Sequence, residues 1–233
     1  MKQIITQHGW GLNKNFWDYY KVDFLNNNWH WQDNERGYFS TDNYQATWIK
    51  SDSKKEIRMT LCHSYGFHLM QKKILEEATH IVLINSFNNF LPMSHKRNFI
   101  LRSLKRMETK INAEPKDMLK QFLNRSFMPN DINNSFKNIF YKSLESLNKT
   151  LLLSDLKQLY INRDFPVFLR KDCKIIFIKS ENDLILDNES NNNFLDSLNK
   201  TLERKPILIT LAQQGHCLNN LNLYEILRNR LND

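Results

Sequence analysis

The chain has 233 residues, 41% of them hydrophobic and 12% aromatic, and its 33 Lys and Arg outnumber its 25 Asp and Glu to give a formal net charge of +8. That length suits one domain with a sizeable core and room for an inserted subdomain, and the composition excludes a disordered chain. No apolar run approaches the roughly 20 residues of a membrane span, and Met1 to Gln7 lacks a charged-then-apolar signal segment, so a cytoplasmic protein is expected.

In chain order, Ile4-Ile5-Thr6 reads as a short strand and Gly37-Tyr38-Phe39 as another. Ile57 to Leu61 alternates and runs into Cys62-His63-Ser64, and Gly66 to Ala78 is helical in character. Ile81-Val82-Leu83-Ile84 is a continuous apolar run, as expected of a strand covered on both faces. No strand signal appears from about residue 88 to residue 170. Ile100, Leu104, Met107 and Ile111 mark one face of a helix there, with Arg102, Arg106 and Lys110 as a basic stripe on another face. Pro115 opens a second helix carrying Met118, Leu119, Phe122 and Leu123. A third is expected from Ile132 to Leu147, and Ser154 or Asp155 as the cap of a short fourth. Lys174 to Ile178 and Pro206 to Thr210 repeat the buried-strand pattern, and Asn219 to Leu231 has leucines at helical spacing. The asparagine runs Asn26 to Asn28 and Asn191 to Asn193 are expected in loops. Strands alternating with helices predict an α/β fold with a mostly parallel, doubly wound sheet. The predicted core is 1–89 with 171–233, and 90–170 is an all-helical cap inserted between core strands.

Charge follows the same division. Between Phe90 and Arg170 there are 15 Lys and Arg against 7 Asp and Glu, whereas the segments before and after are nearly balanced. A basic excess confined to one segment suits either a solvated face or an acidic partner. No nucleic-acid motif accompanies it. Cys62, Cys173 and Cys217 fit no CxxC or Cys/His spacing, so reduced thiols and no metal or cofactor are expected.

Cys62-His63-Ser64-Tyr65-Gly66 occupies a G-x-S-x-G pattern between a strand and a helix, with Cys62 as the small residue in the first glycine position. That turn suits a nucleophilic serine. Asp183 follows the strand 174–178, with Glu181 and Asp187 as competitors, and His216 in Gln214-Gly215-His216 follows the last strand. The order Ser64, Asp183, His216, each at the C-terminal end of a strand, is that of a nucleophile, an orienting acid and a base. His8-Gly9-Trp10-Gly11 follows the first strand, where a second N–H donor for an oxyanion is needed. His8, His63 and His68 read as structural neighbours of the site, and the tryptophans other than Trp10 as packing.

His8-Gly9-Trp10-Gly11-Leu12-Asn13, with Trp17 beyond it, resembles the oxyanion-loop signature of the pimeloyl-acyl-carrier-protein methyl ester carboxylesterases of biotin synthesis, members of the α/β-hydrolase superfamily. Phe122-Leu123, and Leu144, Leu147 and Leu151 through Asp155-Leu156, are similar to that family's cap pattern. The resemblance implies an α/β-hydrolase fold and a serine esterase that removes a methyl group from a pimeloyl chain held on acyl carrier protein. It implies oxyanion N–H groups from Trp10 and Tyr65, substrate contacts at Trp10, Tyr65, Phe122, Leu123 and Ser126, and carrier docking on Arg102, Arg106 and Lys110. Cys62 and Phe67 stand where the family elbow usually has glycines, and Ser126 where it often has a larger polar residue. The chain starts almost at the oxyanion-loop strand, so the first antiparallel edge strands are expected to be missing or rearranged. Rival expectations are a small-ester esterase, a thioesterase or the menaquinone-pathway lyase of the same fold without carrier docking, and a silent fold that only binds protein.

Overall fold

The computed structural model describes the chain except residues 42, 51–55, 166–167, 220 and 232–233. Its strands are β1 (Lys2–Gln7), β2 (Trp29–Asp33), β3 (Ile57–His63), β4 (His80–Ile84), β5 (Lys174–Ser180) and β6 (Ile207–Leu211). They form one six-stranded parallel sheet in the order β2-β1-β3-β4-β5-β6. Side chains of the four inner strands alternate between two buried clusters. Ile4, Met59, Leu61, Val82 and Ile176 join one, and Ile5, Cys62, Ile81, Leu83 and Phe177 the other. A sheet buried on both faces needs helices on both. The first cluster receives Tyr20 and Phe24 from α1 (Asp18–Asn26), and the second receives Ile74 and Leu75 from α3 (Lys72–Glu77). α8 (Asn188–Thr201) adds Phe194 and Leu198 to the second, and α9 (Leu223–Arg228) adds Leu223 and Leu227 to the first. The doubly wound parallel sheet expected from the sequence is the one observed.

Strand order reverses at β1, with β2 on one side and β3 on the other. Loops leaving two such strands diverge and open a crevice at their C-terminal ends. His8 begins the loop after β1, and Ser64 the loop after β3.

Several elements differ from expectation. Gly37-Tyr38-Phe39 is not a strand, and Gly37 has φ +89. The edge strand is instead Trp29–Asp33, whose His30 faces water, so no apolar run marks it. β6 is the other edge, and Leu208 and Thr210 are exposed rather than buried. The helix expected over 66–78 breaks into α2 (Gly66–Leu69) and α3, because Met70 and Gln71 are extended at ψ 132 and 135. The third middle helix is α6 (Asn134–Ser143), capped by Asn133 and followed by a 3-10 turn at Leu144–Ser146. Ser154 and Asp155 cap nothing; α7 (Lys149–Gln158) starts before them, with Asn148 accepting the Leu151 N–H. Asn222 caps the last helix, which is shorter than the leucine spacing implied, and residue 220 lies outside the described residues. Asn191 to Asn193 lie inside α8, not in a loop: Asn191 is buried on the face that carries Phe194 and Leu198, and Asn192 and Asn193 are exposed.

Between β4 and β5 run α4 (Arg97–Ala113), α5 (Pro115–Phe127), α6 and α7. Arg102, Arg106 and Lys110 are exposed on α4, opposite buried Leu104 and Ile111. Helix α7 is tied to the loop after β2 through Asp155, whose buried carboxylate accepts two N–H groups of Arg36, both at 2.8 Å, and the Tyr38 hydroxyl at 2.7 Å. Removing one partner of a buried pair strands the other charge, at a cost of about 3–5 kcal/mol. Arg36 keeps 27% of its side chain exposed, so water would partly solvate it and the lower end applies. Asp155→Ala is therefore expected to reduce the unfolding free energy by about 3 kcal/mol in a urea titration. A loss below about 1 kcal/mol would class the pair with surface ion pairs.

Candidate active site

Strand β3 ends at His63, and Ser64 takes φ +53 before α2 begins at Gly66. The Ser64 N–H donates to the Ile84 carbonyl at 2.8 Å, which fixes the turn against the end of β4. Gly66 is required by close approach: a Cβ there would run into the Gln7 carbonyl and stand 2.8 Å from that of His8. Cys62 is fully buried within β3, where burial pushes its thiol up to about 12. Its side chain packs in the second apolar cluster, so the strand accommodates it before the tight turn starts.

Ser64, His216 and Asp183 meet. His216 Nε2 lies 2.8 Å from Ser64 Oγ, and His216 Nδ1 lies 2.7 Å from Asp183 Oδ2. Asp183 Oδ1 accepts the N–H groups of Ile185 and Leu186 at 2.8 and 2.9 Å. All three side chains are buried or nearly so. The competing carboxylates are elsewhere. Glu181 is exposed, and Asp187 caps α8 and pairs with Lys96 at 3.0 Å.

The loop after β1 lies against the serine; a Cβ on Gly9 would stand 3.1 Å from Ser64 Cβ. His8 is fully buried and its Nδ1 donates to the Gly9 carbonyl at 2.9 Å, a structural role for the loop. Glu35 supports the same loop 3.4 Å from His8 Nε2. Burial pushes the Glu35 carboxyl up, but His8 and the N–H groups of Gly37 and Lys14 outweigh it and hold the group down at about 2. Trp10 donates its indole N–H to the Leu152 carbonyl on α7 at 2.9 Å, so the loop and the middle helices are joined. His68 donates to the Phe87 carbonyl at 2.8 Å, and burial, then Arg163, pushes it down to about 3, so it is a neutral helix residue.

Above Ser64 and His216 opens a cavity of about 730 Å³ between the sheet end and α4 and α5. Trp10, Tyr65 and Phe122 line it, together with apolar side chains such as Leu104, Met107 and Phe87, which the sequence reading did not single out for the site. Arg106 and Lys110 reach its edge, joined by Arg125 of α5, and Phe99 and Met128 stand exposed nearby. Two expectations are corrected. Leu123 and Ser126 do not line the cavity, and both are fully buried. The Ser126 hydroxyl donates to the Phe122 carbonyl at 2.8 Å, and its own carbonyl accepts the Cys217 N–H, so it braces the His216 loop instead. Arg102 is exposed on the same helix as Arg106 and Lys110 but is not among the residues that line the cavity, whereas those two are.

No family model and no curated protein matches this sequence. Solved structures match over the whole chain. A bromoperoxidase from Bacillus anthracis is 13% identical with a TM-score of 0.76, covering 100% of this chain and 92% of that one. A structure from work on carboxylesterases of the thaumarchaeon Nitrososphaera gargenis is 13% identical with a TM-score of 0.68, covering 99% and 90%. The 2-hydroxy-6-oxo-6-phenylhexa-2,4-dienoate hydrolase of Rhodococcus sp. strain RHA1 is 14% identical with a TM-score of 0.65, covering 99% and 89%. What these proteins share with the chain is architecture: it has the α/β-hydrolase fold.

Proposed function

We propose that the protein is a serine carboxylesterase. The observation that carries this reading is the unbroken hydrogen-bond chain from Ser64 through His216 to Asp183 at the floor of an apolar cavity. In this reading His216 takes the Ser64 proton as the hydroxyl attacks an ester carbonyl, and Asp183 holds the imidazole in the tautomer that can accept it. The backbone N–H groups of Trp10 and Tyr65, on the two loops that flank Ser64, receive the oxyanion. The alcohol leaves with the proton from His216, and water, deprotonated by the same base, releases the acid. Esterases and hydrolases among the structural neighbours are consistent with this chemistry.

We further propose the finer function: hydrolysis of the methyl ester of a pimeloyl chain on acyl carrier protein, in the cytoplasm, with methanol as the leaving alcohol. Residues 90–170 then act as a cap over a core of 1–89 and 171–233. The apolar cavity suits a chain of methylenes, and Arg106, Lys110 and Arg125 at its edge suit a strongly acidic carrier at the open end. Arg106→Glu with Lys110→Glu is expected to lower kcat/KM for the carrier-bound ester by about tenfold or more at low salt. The loss should shrink as salt rises past about 0.15 M, where the Debye length is about 8 Å. Turnover of p-nitrophenyl acetate, which needs no docking, should change far less. Equal loss on both substrates would mean a damaged cap, and no loss on either would favour the simple esterase. The decisive biological test is whether the gene restores biotin-independent growth to a strain lacking its own methyl ester esterase.

A further inference from the structure

Every group drawn into the chemistry so far touches the substrate or the imidazole ring of His216. The ring's position also depends on its backbone, and two buried side chains that the chemistry does not use converge there. The His216 carbonyl accepts the Nε2–H of His63 at 2.9 Å and the Nδ2–H of Asn85 at 2.8 Å. His63 is 1% exposed and Asn85 not at all. They lie at the ends of β3 and β4, neighbours in the sheet.

Asn85 does more than hold one carbonyl. Its Oδ1 accepts the Ser180 N–H at 2.8 Å, its Nδ2 reaches Ser180 Oγ at 2.9 Å, and its backbone N–H donates to Ile178 at 2.9 Å. Ser180 ends β5, whose following turn carries Asp183. One side chain thus joins the strand end that leads to the acid to the loop that carries the base. The backbone of Asn85 has φ +45, a left-handed conformation that asparagine tolerates better than most residues.

His63 fills the space between the loops. Its ring lies 5.0 Å from that of His216 and 4.7 Å from that of Phe16. A Cβ on Gly9 would stand 2.9 Å from its Nδ1, which has no partner among the described residues. With Nε2 donating, the ring is neutral, and burial, then the neighbouring His216, holds its pKa well below the ordinary histidine value. A cation there would oppose the imidazolium that forms on His216 during turnover.

We propose that His63 and Asn85 are positioning residues for the base: by holding the His216 carbonyl from two adjacent strand ends, they set the imidazole between Ser64 and Asp183. The proposal rests on the serine-esterase reading. Small displacements in such a site cost about 100-fold in rate. His63→Asn, too short to reach the carbonyl, and Asn85→Ala are therefore expected to lower kcat for p-nitrophenyl acetate by about 10- to 100-fold, with KM nearly unchanged. His63→Gln, whose amide N–H replaces the Nε2 donor, should restore most of the rate. Introduced into His216→Ala, neither His63→Asn nor Asn85→Ala should reduce the residual rate further, because residues acting through one group are not additive. Thermal melting of each variant identifies any that fail to fold, and the His63→Gln and His63→Asn pair then carries the comparison. Wild-type kcat in folded His63→Asn and Asn85→Ala, or equal losses with and without the His216 imidazole, would overturn the positioning role. Turnover that survives Ser64→Ala would instead overturn the esterase reading beneath it.

Discussion

Ser64→Ala is expected to reduce ester turnover by a factor on the order of 10⁶, the scale on which a serine protease fails without its nucleophile. The Oγ that the substitution removes is 2.8 Å from the base, and the neighbouring hydroxyls are not placed to replace it. Ser86, for example, donates to the Cys62 carbonyl at 3.1 Å. The fold should persist. Alanine meets the same backbone demand as serine at φ +53, since both carry a Cβ, and the turn is held by the Ser64 N–H, which remains. A phosphonate inhibitor followed by mass spectrometry provides the check. The wild-type protein should carry one adduct on Ser64, and the variant none while its melting temperature stays close to wild type. An adduct on another residue, or turnover without any adduct, would remove Ser64 from the mechanism.

How much of this was legible in the sequence depended on the distance over which each feature is determined. β4 and β5 were legible because both of their faces are buried, which leaves a continuous apolar run that no other local pattern imitates. β2 was not, since an edge strand meets water and its Trp-His-Trp-Gln-Asp run carries no such signature. Ser64, Asp183 and His216 were legible because each lies in the loop that follows a strand, and a parallel sheet delivers all such loops to one end. Their supports were not. Asn85 is 131 residues from His216 and Arg36 is 119 from Asp155, so each pair is created by the fold and has no local pattern. Helix α5 shows the same limit within a single element. Phe122 and Ser126 are four residues apart, and helical spacing puts them on one side. Only Phe122 reaches the cavity, because the His216 loop packs over the end of the helix and takes the Ser126 carbonyl. The pair Arg102 and Arg106 divides similarly: one stripe in the sequence, but only its later part borders the opening.

Asp183→Asn is expected to lower kcat by about 10⁴-fold, far more than Glu181→Gln or Asp187→Asn, and the hydrogen bonds around the carboxylate give the reason. One of its oxygens, Oδ1, accepts two backbone N–H groups, while the other accepts from His216 Nδ1. An asparagine in this position has one oxygen only. The two N–H groups of Ile185 and Leu186 claim it, which turns the amide NH₂ toward His216. The imidazole must then accept at Nδ1 and carry its proton on Nε2, where it faces Ser64 and cannot take the serine proton. The opposite flip keeps the productive tautomer but sets the amide NH₂ against two N–H donors, a buried mismatch that costs about as much as a lost charged hydrogen bond. Neither competing carboxylate has this leverage. Glu181 is exposed, and Asp187 accepts the Glu189 N–H at 2.9 Å as the cap of α8, so its amide variant should cost about 1 kcal/mol of stability at most. Steady-state kinetics of the three variants on one soluble ester, with melting temperatures alongside, separate these roles. A loss for Glu181→Gln that matches or exceeds that of Asp183→Asn would mean that the acid had been assigned to the wrong residue.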